Sequence, residues 1–262
     1  MLLTVSLGQM DVRFGDPSAN LEKATQLTEE AKRRGSDLLL LPELWSTAYD
    51  LPNASRYASP LTSGLFADLS ALARRTGIYL LGSTLSLLGP DQYGNTLTVF
   101  APDGSLLAHY SKTHLFRLMN EEQYLTPGNQ AATVNLPFGR AGLAICYDLR
   151  FPELFRSYAL AGAQMVFLPA EWPHPRLTHW QTLVRARAIE NQMFIFACNR
   201  VGSDPSNRFF GHSLAVDPWG EVLIEGGEDE DLLTVTVDLS KVHQVRQKIP
   251  ILNDRRPEIY SL

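Results

Sequence analysis

The chain has 262 residues, of which 45% are hydrophobic and 19% are charged, and its formal net charge is −5. This composition is typical of a globular protein with a large core, and the acidic balance argues against nucleic acid or an anionic membrane as a partner. No run approaches the roughly 18 apolar residues of a membrane span, and the N-terminus lacks the pattern of a signal peptide, so we predict neither.

The first half of the chain alternates strands and helices. The hydrophobic pattern predicts, in chain order, a strand at 2–9, a helix at 18–35, a strand at 37–44, a helix at 64–77, a strand at 78–86 and a hairpin of strands 95–101 and 105–112. The strand at 37–44 is a near-continuous apolar run, which is typical of a strand buried on both faces. The Asp-Gly pair between the last two strands is a strong signal for a hairpin turn.

The second half of the chain repeats this order of elements. The pattern predicts a strand at 141–148, a helix at 152–162, a strand at 163–170, a helix at 179–191, a strand at 192–200 and a hairpin of strands 211–217 and 221–227. Internal duplication and chance similarity explain this repeat about equally well. No linker divides the halves, so we predict one domain over 1–262. The two-sided apolar strands favour an α/β fold in which two sheets pack face to face with helices outside.

Cys146 lies where the predicted strand in "AGLAICYD" ends and a turn begins. Most free cysteines are small buried hydrophobes, and Cys146 taken alone is better explained that way. However, catalytic groups of α/β proteins gather at the carboxyl ends of strands, where a sharp turn directs backbone N–H groups to one place. Cys198, within an apolar run, is interpreted as structural. Two cysteines form neither a disulfide framework nor a zinc cluster, so we expect no metal and a reducing cytoplasm.

A cysteine nucleophile needs a base and a partner for the oxyanion. None of the six histidines has a context that marks it as the base. Glu43 ends the apolar run "LLLLPEL", and desolvation there would raise its pKa toward a useful value. Lys112 ends the first predicted hairpin. Taken alone, each is better explained as an ordinary surface residue at a strand end.

Together these residues resemble the nitrilase, or carbon–nitrogen hydrolase, superfamily. The resemblance rests on "LLLLPEL", "YSKTHLF" and "AICYDLRFPEL", which carry Glu43, Lys112 and Cys146 in the superfamily's order, and it extends from the first strand to about 237. The superfamily also has a second glutamate before a Pro-Gly turn. "EEQYLTPG" offers Glu121 and Glu122, and the spacing favours Glu121.

The resemblance implies a four-layer α-β-β-α sandwich, with two mixed sheets and helices on the outer faces, that forms a homodimer. The core would span about 1–238, and the tail 239–262 would be free to dock on the partner subunit.

The resemblance also implies a mechanism. Cys146 would attack an amide carbonyl, Glu43 would act as the base, and Lys112 with the backbone N–H of Tyr147 would hold the oxyanion. A thioester would form with release of ammonia, and Glu121 would be auxiliary. No cofactor would be required.

The segment that begins "AEWPHPRLTHW" resembles the ω-amidase branch, which hydrolyses the terminal amide of 2-oxo acids such as 2-oxoglutaramate. We expect Glu171 and Trp172 to line the pocket, because they follow a strand at the same sheet edge as Cys146. Arg150 is a candidate for the substrate carboxylate, but an ion pair with Asp148 or Glu153 is the favoured interpretation.

Other readings stay open. An N-carbamoyl amide hydrolase or a deaminated-glutathione amidase is the main alternative. A nitrile hydrolase, a non-catalytic binding protein and a thiol-based redox protein are less favoured, and the last of these lacks a recognisable resolving cysteine.

Overall fold

The computed structural model describes residues 1–260, which form two six-stranded sheets, a two-stranded ribbon and seven α-helices. In chain order the strands are Leu2–Gln9 (β1), Leu38–Leu40 (β2), Tyr79–Gly89 (β3), Gln92–Phe100 (β4), Leu106–Ser111 (β5), Ala132–Leu136 (β6), Gly139–Leu143 (β7), Met165–Ala170 (β8), Phe194–Asn199 (β9), Val201–Ser203 (β10), Arg208–Phe210 (β11), Leu214–Val216 (β12), Val222–Glu225 (β13) and Asp231–Asp238 (β14). The helices are Pro17–Arg33 (α1), Ala54–Tyr57 (α2), Leu65–Thr76 (α3), Glu121–Tyr124 (α4), Pro152–Leu160 (α5), Leu177–Asn191 (α6) and Ser240–Lys248 (α7).

The two large sheets have the same internal plan. The first has the order β14-β1-β2-β3-β4-β5 and the second β6-β7-β8-β9-β12-β13. In each, three parallel strands stand at the centre, a hairpin extends one side, and one antiparallel strand closes the other. This common topology agrees with the duplication that the sequence pattern raised.

The sheets pack face to face, and the burial of β2 shows the layers. Leu38 and Leu40 belong to the core between the sheets, together with Phe167 of β8. Leu39 points the opposite way and packs with Ala24 of α1 and residues of α3. The outer face of the second sheet is covered by α5 and α6. The predicted α-β-β-α sandwich with two mixed sheets is therefore confirmed.

Two predicted strands are shorter than the apolar runs that indicated them. The run at 37–44 forms a strand only over Leu38–Leu40, because Pro42 has no N–H for a ladder and the chain turns after it. The run at 141–148 stops pairing at Leu143, and Cys146–Arg150 is a 3₁₀ helix. In both places the chain leaves the sheet just before the residue that the sequence marks as chemically interesting.

The first part of the predicted tail packs on its own chain. Val242 and Val245 of α7 are buried, the Arg246 guanidinium donates to the Ala163 carbonyl at 2.7 Å, and the Gln192 side chain donates to the Ile249 carbonyl at 2.7 Å. Docking of 250–260 on a partner subunit stays a prediction, and 261–262 lie outside the described residues.

Within residues 1–260, no helix combines the length and the apolarity that a membrane crossing requires.

Candidate active site

Glu43 lies just beyond β2 and joins the two sheets. Its buried Oε1 accepts hydrogen bonds from Lys112 Nζ at 2.8 Å, Asn95 Nδ2 at 2.7 Å and the Tyr49 hydroxyl at 3.1 Å. Its Oε2 accepts the backbone N–H of Glu171, from the end of β8, at 2.9 Å. Four donors from both halves of the chain therefore fix the orientation of this carboxylate.

Lys112 follows β5 and is completely buried between two carboxylates. Its Nζ lies 2.8 Å from Glu43 Oε1 and 2.6 Å from Glu121 Oε1. Burial alone would lower the pKa of this ammonium, but the charges of Glu121 and Glu43 outweigh burial and hold the pKa well above its ordinary value. Lys112 is therefore a permanent cation inside the protein.

Glu121 is the glutamate that reaches Lys112, and Glu122 is exposed. Besides Lys112, Glu121 Oε1 accepts a hydrogen bond from the Tyr49 hydroxyl at 2.5 Å, and Oε2 accepts the Phe116 N–H at 2.7 Å. Burial raises the pKa of Glu121. The choice that the Pro-Gly spacing favoured is thus the one that the structure brings to the cluster.

Cys146 occupies a strained position three residues after the end of β7, as the first residue of the 3₁₀ helix. Its φ is 45°, in the left-handed region that non-glycine residues rarely adopt and that costs about 1–3 kcal/mol. The residue is 4% exposed. Burial and the neighbouring Glu43 carboxylate raise the pKa of its thiol well above the ordinary value. The thiol is therefore neutral near pH 7 and requires a base to become a nucleophile.

Tyr147 is the residue directly after Cys146, and its backbone N–H is the predicted oxyanion donor. Within the described part of the chain this N–H has no backbone acceptor. The Tyr147 ring packs against Phe116, with ring centroids 4.7 Å apart, and against Phe151 at 5.3 Å. A free N–H beside the thiol is therefore present where the sequence predicted an oxyanion donor.

Asp148 holds this turn in place, and sequence reasoning missed it. Its buried carboxylate accepts the Ile145 N–H and the Tyr110 hydroxyl at 2.8 Å each, and lies 2.7 Å from His114 Nδ1. Tyr110 and His114 flank Lys112 in sequence. Asp148 therefore connects the turn of Cys146 to the segment of Lys112.

We expect an Asp148→Asn substitution to lower the free energy of unfolding by about 1.5–3 kcal/mol, because hydrogen bonds to a charged group would be lost. Urea unfolding measures this change. Asp91→Asn is the control, since Asp91 is exposed and its φ of 54° suits asparagine; it should stay within about 0.5 kcal/mol of wild type. An Asp148→Asn protein as stable as wild type would show that this carboxylate does not hold the turn.

The predicted ion pair of Arg150 with Asp148 or Glu153 is wrong. In the described residues Arg150 pairs with neither, because the Asp148 carboxylate is occupied by other donors and Glu153 is exposed on α5. The Arg150 guanidinium instead lies 4.9 Å over the Trp172 ring and contacts His179 Nδ1 at 3.3 Å. Arg150 therefore remains available at the pocket.

A small pocket lies beside Cys146. It is lined by Phe116, Cys146, Tyr147, Arg150, Glu171, Trp172, Pro173 and Arg176. Glu171 and Trp172 thus line the pocket as the sequence predicted. Burial raises the pKa of Glu171 to about 8, although Arg200, 3.2 Å away, opposes that shift. The Trp172 backbone N–H is fixed by Asn199 Oδ1 at 2.7 Å.

Three further residues of the cluster were not predicted from the sequence. Tyr49, Asn95 and Arg200 contact the carboxylates of Glu43, Glu121 and Glu171, which lie between 6 and 72 positions away along the chain. Only the assembled sheets bring them to the carboxylates that they contact.

A buried thiol near a glutamate and a lysine, under a small pocket, is an arrangement that suits an enzyme with a cysteine nucleophile. The sequence matches the model of the family described as Carbon-nitrogen hydrolase across residues 4–247. The chain is 40% identical to the 2-oxoglutaramate amidase of Bacillus subtilis (strain 168), covering 99% of this chain and 100% of that protein. It is 36% identical to the omega-amidase NIT2 of Mus musculus, covering 94% and 92%.

Solved structures agree with this assignment. A CN-hydrolase superfamily protein from Xanthomonas campestris, with an arsenic adduct in its active site, superposes with a TM-score of 0.92 at 31% identity, covering 100% of this chain and 99% of that one. A mutant amidase from Nesterenkonia sp. AN1, with the acetamide moiety of fluoroacetamide added covalently to its active-site cysteine, superposes with a TM-score of 0.86 at 30% identity, covering 98% and 95%. The chain belongs to the carbon–nitrogen hydrolase family.

Proposed function

We propose that this enzyme is an amidase that hydrolyses the terminal amide of a small 2-oxo acid, such as 2-oxoglutaramate, through a thioester on Cys146. The observation that carries the proposal is the buried pair of Glu43 and Lys112, 2.8 Å apart, next to the strained turn of Cys146, whose thiol pKa the Glu43 carboxylate helps burial to raise. The names of the relatives from Bacillus subtilis and Mus musculus support the choice of substrate.

The first step forms the carbon–sulfur bond. Glu43 accepts the proton of the Cys146 thiol as sulfur attacks the amide carbon, and the carbonyl electron pair moves to oxygen. The Lys112 ammonium and the Tyr147 N–H stabilise that oxyanion, and one such donor typically accounts for about 10²–10³ in rate. Because burial and the Glu43 carboxylate raise the thiol pKa, the attack depends on transfer of the thiol proton to Glu43.

The second step breaks the carbon–nitrogen bond. The oxyanion collapses, Glu43 returns its proton to the departing nitrogen, and ammonia leaves a thioester on Cys146. Glu43 then takes a proton from water, the hydroxide attacks the thioester, and the carbon–sulfur bond breaks. The sulfur recovers the proton from Glu43 and the carboxylic acid departs. No step requires a metal ion or an organic cofactor.

We assign Glu121 to the positioning of Lys112, because its Oε1 lies 2.6 Å from Lys112 Nζ and because the Tyr49 hydroxyl links Glu121 to Glu43, the other carboxylate that contacts Lys112. We expect Glu121→Gln to lower kcat by about 10²-fold with a smaller change in KM, since the Lys112 ammonium would lose one of its two negatively charged partners. Steady-state ammonia release measures both constants.

Glu122→Gln is the matched control, one residue along α4 and exposed, and it should keep kcat within about twofold. Equal kcat values in the two variants would show that Glu121 has no role in the reaction.

The pocket offers two cations for an acidic substrate. Arg150 and Arg176 both line it, stacked over the rings of Trp172 and Phe116, with the guanidinium carbons 4.9 Å and 5.7 Å from the ring centroids. A planar guanidinium suits a carboxylate, with which it forms two parallel hydrogen bonds. We therefore expect the carboxylate of a small acid amide to bind at the arginines and its amide at Cys146.

A substrate panel tests the proposal. Purified enzyme is incubated with 2-oxoglutaramate, an N-carbamoyl amide, deaminated glutathione and a nitrile of similar size, and ammonia is measured. We expect 2-oxoglutaramate to have the highest kcat/KM and alkylation of Cys146 to abolish its hydrolysis. Preference for deaminated glutathione or the carbamoyl amide would assign a different amidase, and thiol alkylation without any hydrolysis would contradict the proposal.

We infer that the enzyme works as a homodimer in the cytoplasm. Leu160 of α5 and Ile189 of α6 expose about half of their apolar surface, 49% and 50%, on the outer layer of the second sheet, which suits a subunit contact. Both cysteines are free, which suits a reducing compartment. Light scattering after size exclusion measures the assembly.

A further inference from the structure

Glu171 has one carboxyl oxygen without a partner at the wall of the pocket. Its Oε2 lies 3.2 Å from Arg200 Nη1, whereas its buried Oε1 has no hydrogen-bond partner within residues 1–260. The side chain is completely buried and lines the same pocket as Cys146. An unpaired buried oxygen is costly, so it is retained where a ligand completes its bonding.

The local charges disfavour a second buried anion at this position. Arg200 divides its guanidinium between Glu171 and Asp11, whose Oδ1 lies 3.1 Å from Nη2. Asp204 and the Glu43 carboxylate add negative charge around Glu171. One cation therefore faces several carboxylates, and burial raises the pKa of Glu171 to about 8.

We propose that Glu171 binds the substrate as a protonated carboxyl group, donating a hydrogen bond from its unpaired oxygen to an oxygen at the acidic 2-oxo end of the substrate. This inference rests on the proposed function and names a specificity-determining residue for it. An ionised Glu171 would repel that same end, while a neutral one adds a donor to the two arginines of the pocket.

Two other titratable groups near the pocket keep their protons just above neutral pH. Tyr49 and Cys146 both have a pKa held well above its ordinary value, chiefly by burial. Arg150, Arg176 and Tyr147 complete the pocket wall. Loss of the Glu171 proton therefore converts a donor into a buried negative charge.

This conversion predicts a pH dependence that follows the charge of the substrate. Above about pH 8, kcat/KM for an anionic amide should fall by up to about tenfold for each pH unit, as the protonated fraction of Glu171 falls. A neutral amide of similar length, such as pentanamide, should lose much less, because it brings no negative charge to the pocket.

The experiment compares wild type, Glu171→Gln and Glu153→Gln between about pH 7 and pH 9.5 with both amides. Glutamine keeps a donor and cannot ionise, so the Glu171→Gln profile with 2-oxoglutaramate should lose the alkaline fall. Glu153→Gln, the same substitution at an exposed site on α5, should keep the wild-type profile. An alkaline fall in Glu171→Gln equal to that of wild type would overturn the inference.

A binding assay separates this inference from the amidase proposal. Glutarate is used to protect Cys146 from iodoacetamide, and its dissociation constant is obtained from the ratio of alkylation rates with and without it at each pH. We expect a weakening of at least about tenfold between pH 7 and pH 9.5 in wild type and little change in Glu171→Gln. Identical weakening in both would overturn the role of Glu171, whereas failure to hydrolyse 2-oxoglutaramate would overturn the substrate alone.

Discussion

Replacement of Cys146 by alanine should reduce amide hydrolysis by about 10⁴–10⁶-fold, because every step of the proposed reaction passes through its sulfur. The fold should persist, since the change removes one sulfur atom from a residue whose strained backbone φ of 45° alanine tolerates no worse than cysteine. Ammonia release measures the loss, and circular dichroism with urea unfolding measures the fold.

Cys198 provides the matched control for Cys146. It is also completely buried and its thiol pKa is also raised, chiefly by burial, but it lies within β9, away from Glu43 and Lys112. We expect Cys198→Ala to keep kcat/KM within a fewfold while losing about 1–2 kcal/mol of stability from the small cavity. A Cys146→Ala variant that hydrolyses the amide at the wild-type rate would contradict a thioester on Cys146.

Replacement of Lys112 by methionine should remove both activity and stability. Two carboxylates, Glu43 and Glu121, would be left buried without their shared cation, and breaking a buried ion pair in this way costs about 3–5 kcal/mol. The lost oxyanion partner should lower kcat by at least about 10²-fold. Urea unfolding and ammonia release measure the two effects.

Two companion variants make the Lys112 result interpretable. Lys32→Met, at an exposed position in the last turn of α1, should change stability by less than about 0.5 kcal/mol. The double variant Lys112→Met with Glu121→Gln should recover part of the lost stability, because one uncompensated charge is neutralised, but none of the activity. A double variant whose losses simply add would contradict the coupling seen between these side chains.

The order of strands and helices was largely predictable from hydrophobic periodicity, but the points at which strands end were not. The apolar runs around Glu43 and Cys146 continue past the last paired residues, Leu40 and Leu143. Pro42 and the positive φ of Cys146 break the ladder, and the second of these depends on tertiary contacts. Strand β14 was also missed, although it pairs with β1 over eight residues, because its partner lies at the other end of the chain.

The candidate site was predictable only in part. Considered singly, Glu43, Lys112 and Cys146 were better explained as ordinary residues, and the three motifs in the superfamily's order changed that interpretation. Their neighbours could not be found in this way, since Tyr49 and Asp148 act through contacts between distant segments. The Arg150 prediction was wrong because it chose partners by their proximity in sequence. In the structure the Asp148 carboxylate instead contacts the Ile145 N–H and His114.

The central claim is that an acyl group from the amide is held on Cys146. Mass spectrometry of the enzyme, quenched in acid during turnover of 2-oxoglutaramate and digested, tests this claim most directly. We expect the peptide that contains Cys146 to gain the mass of the substrate minus ammonia, and the peptide that contains Cys198 to remain unmodified. Ammonia release with no adduct on Cys146, or with the adduct on another residue, would contradict the account.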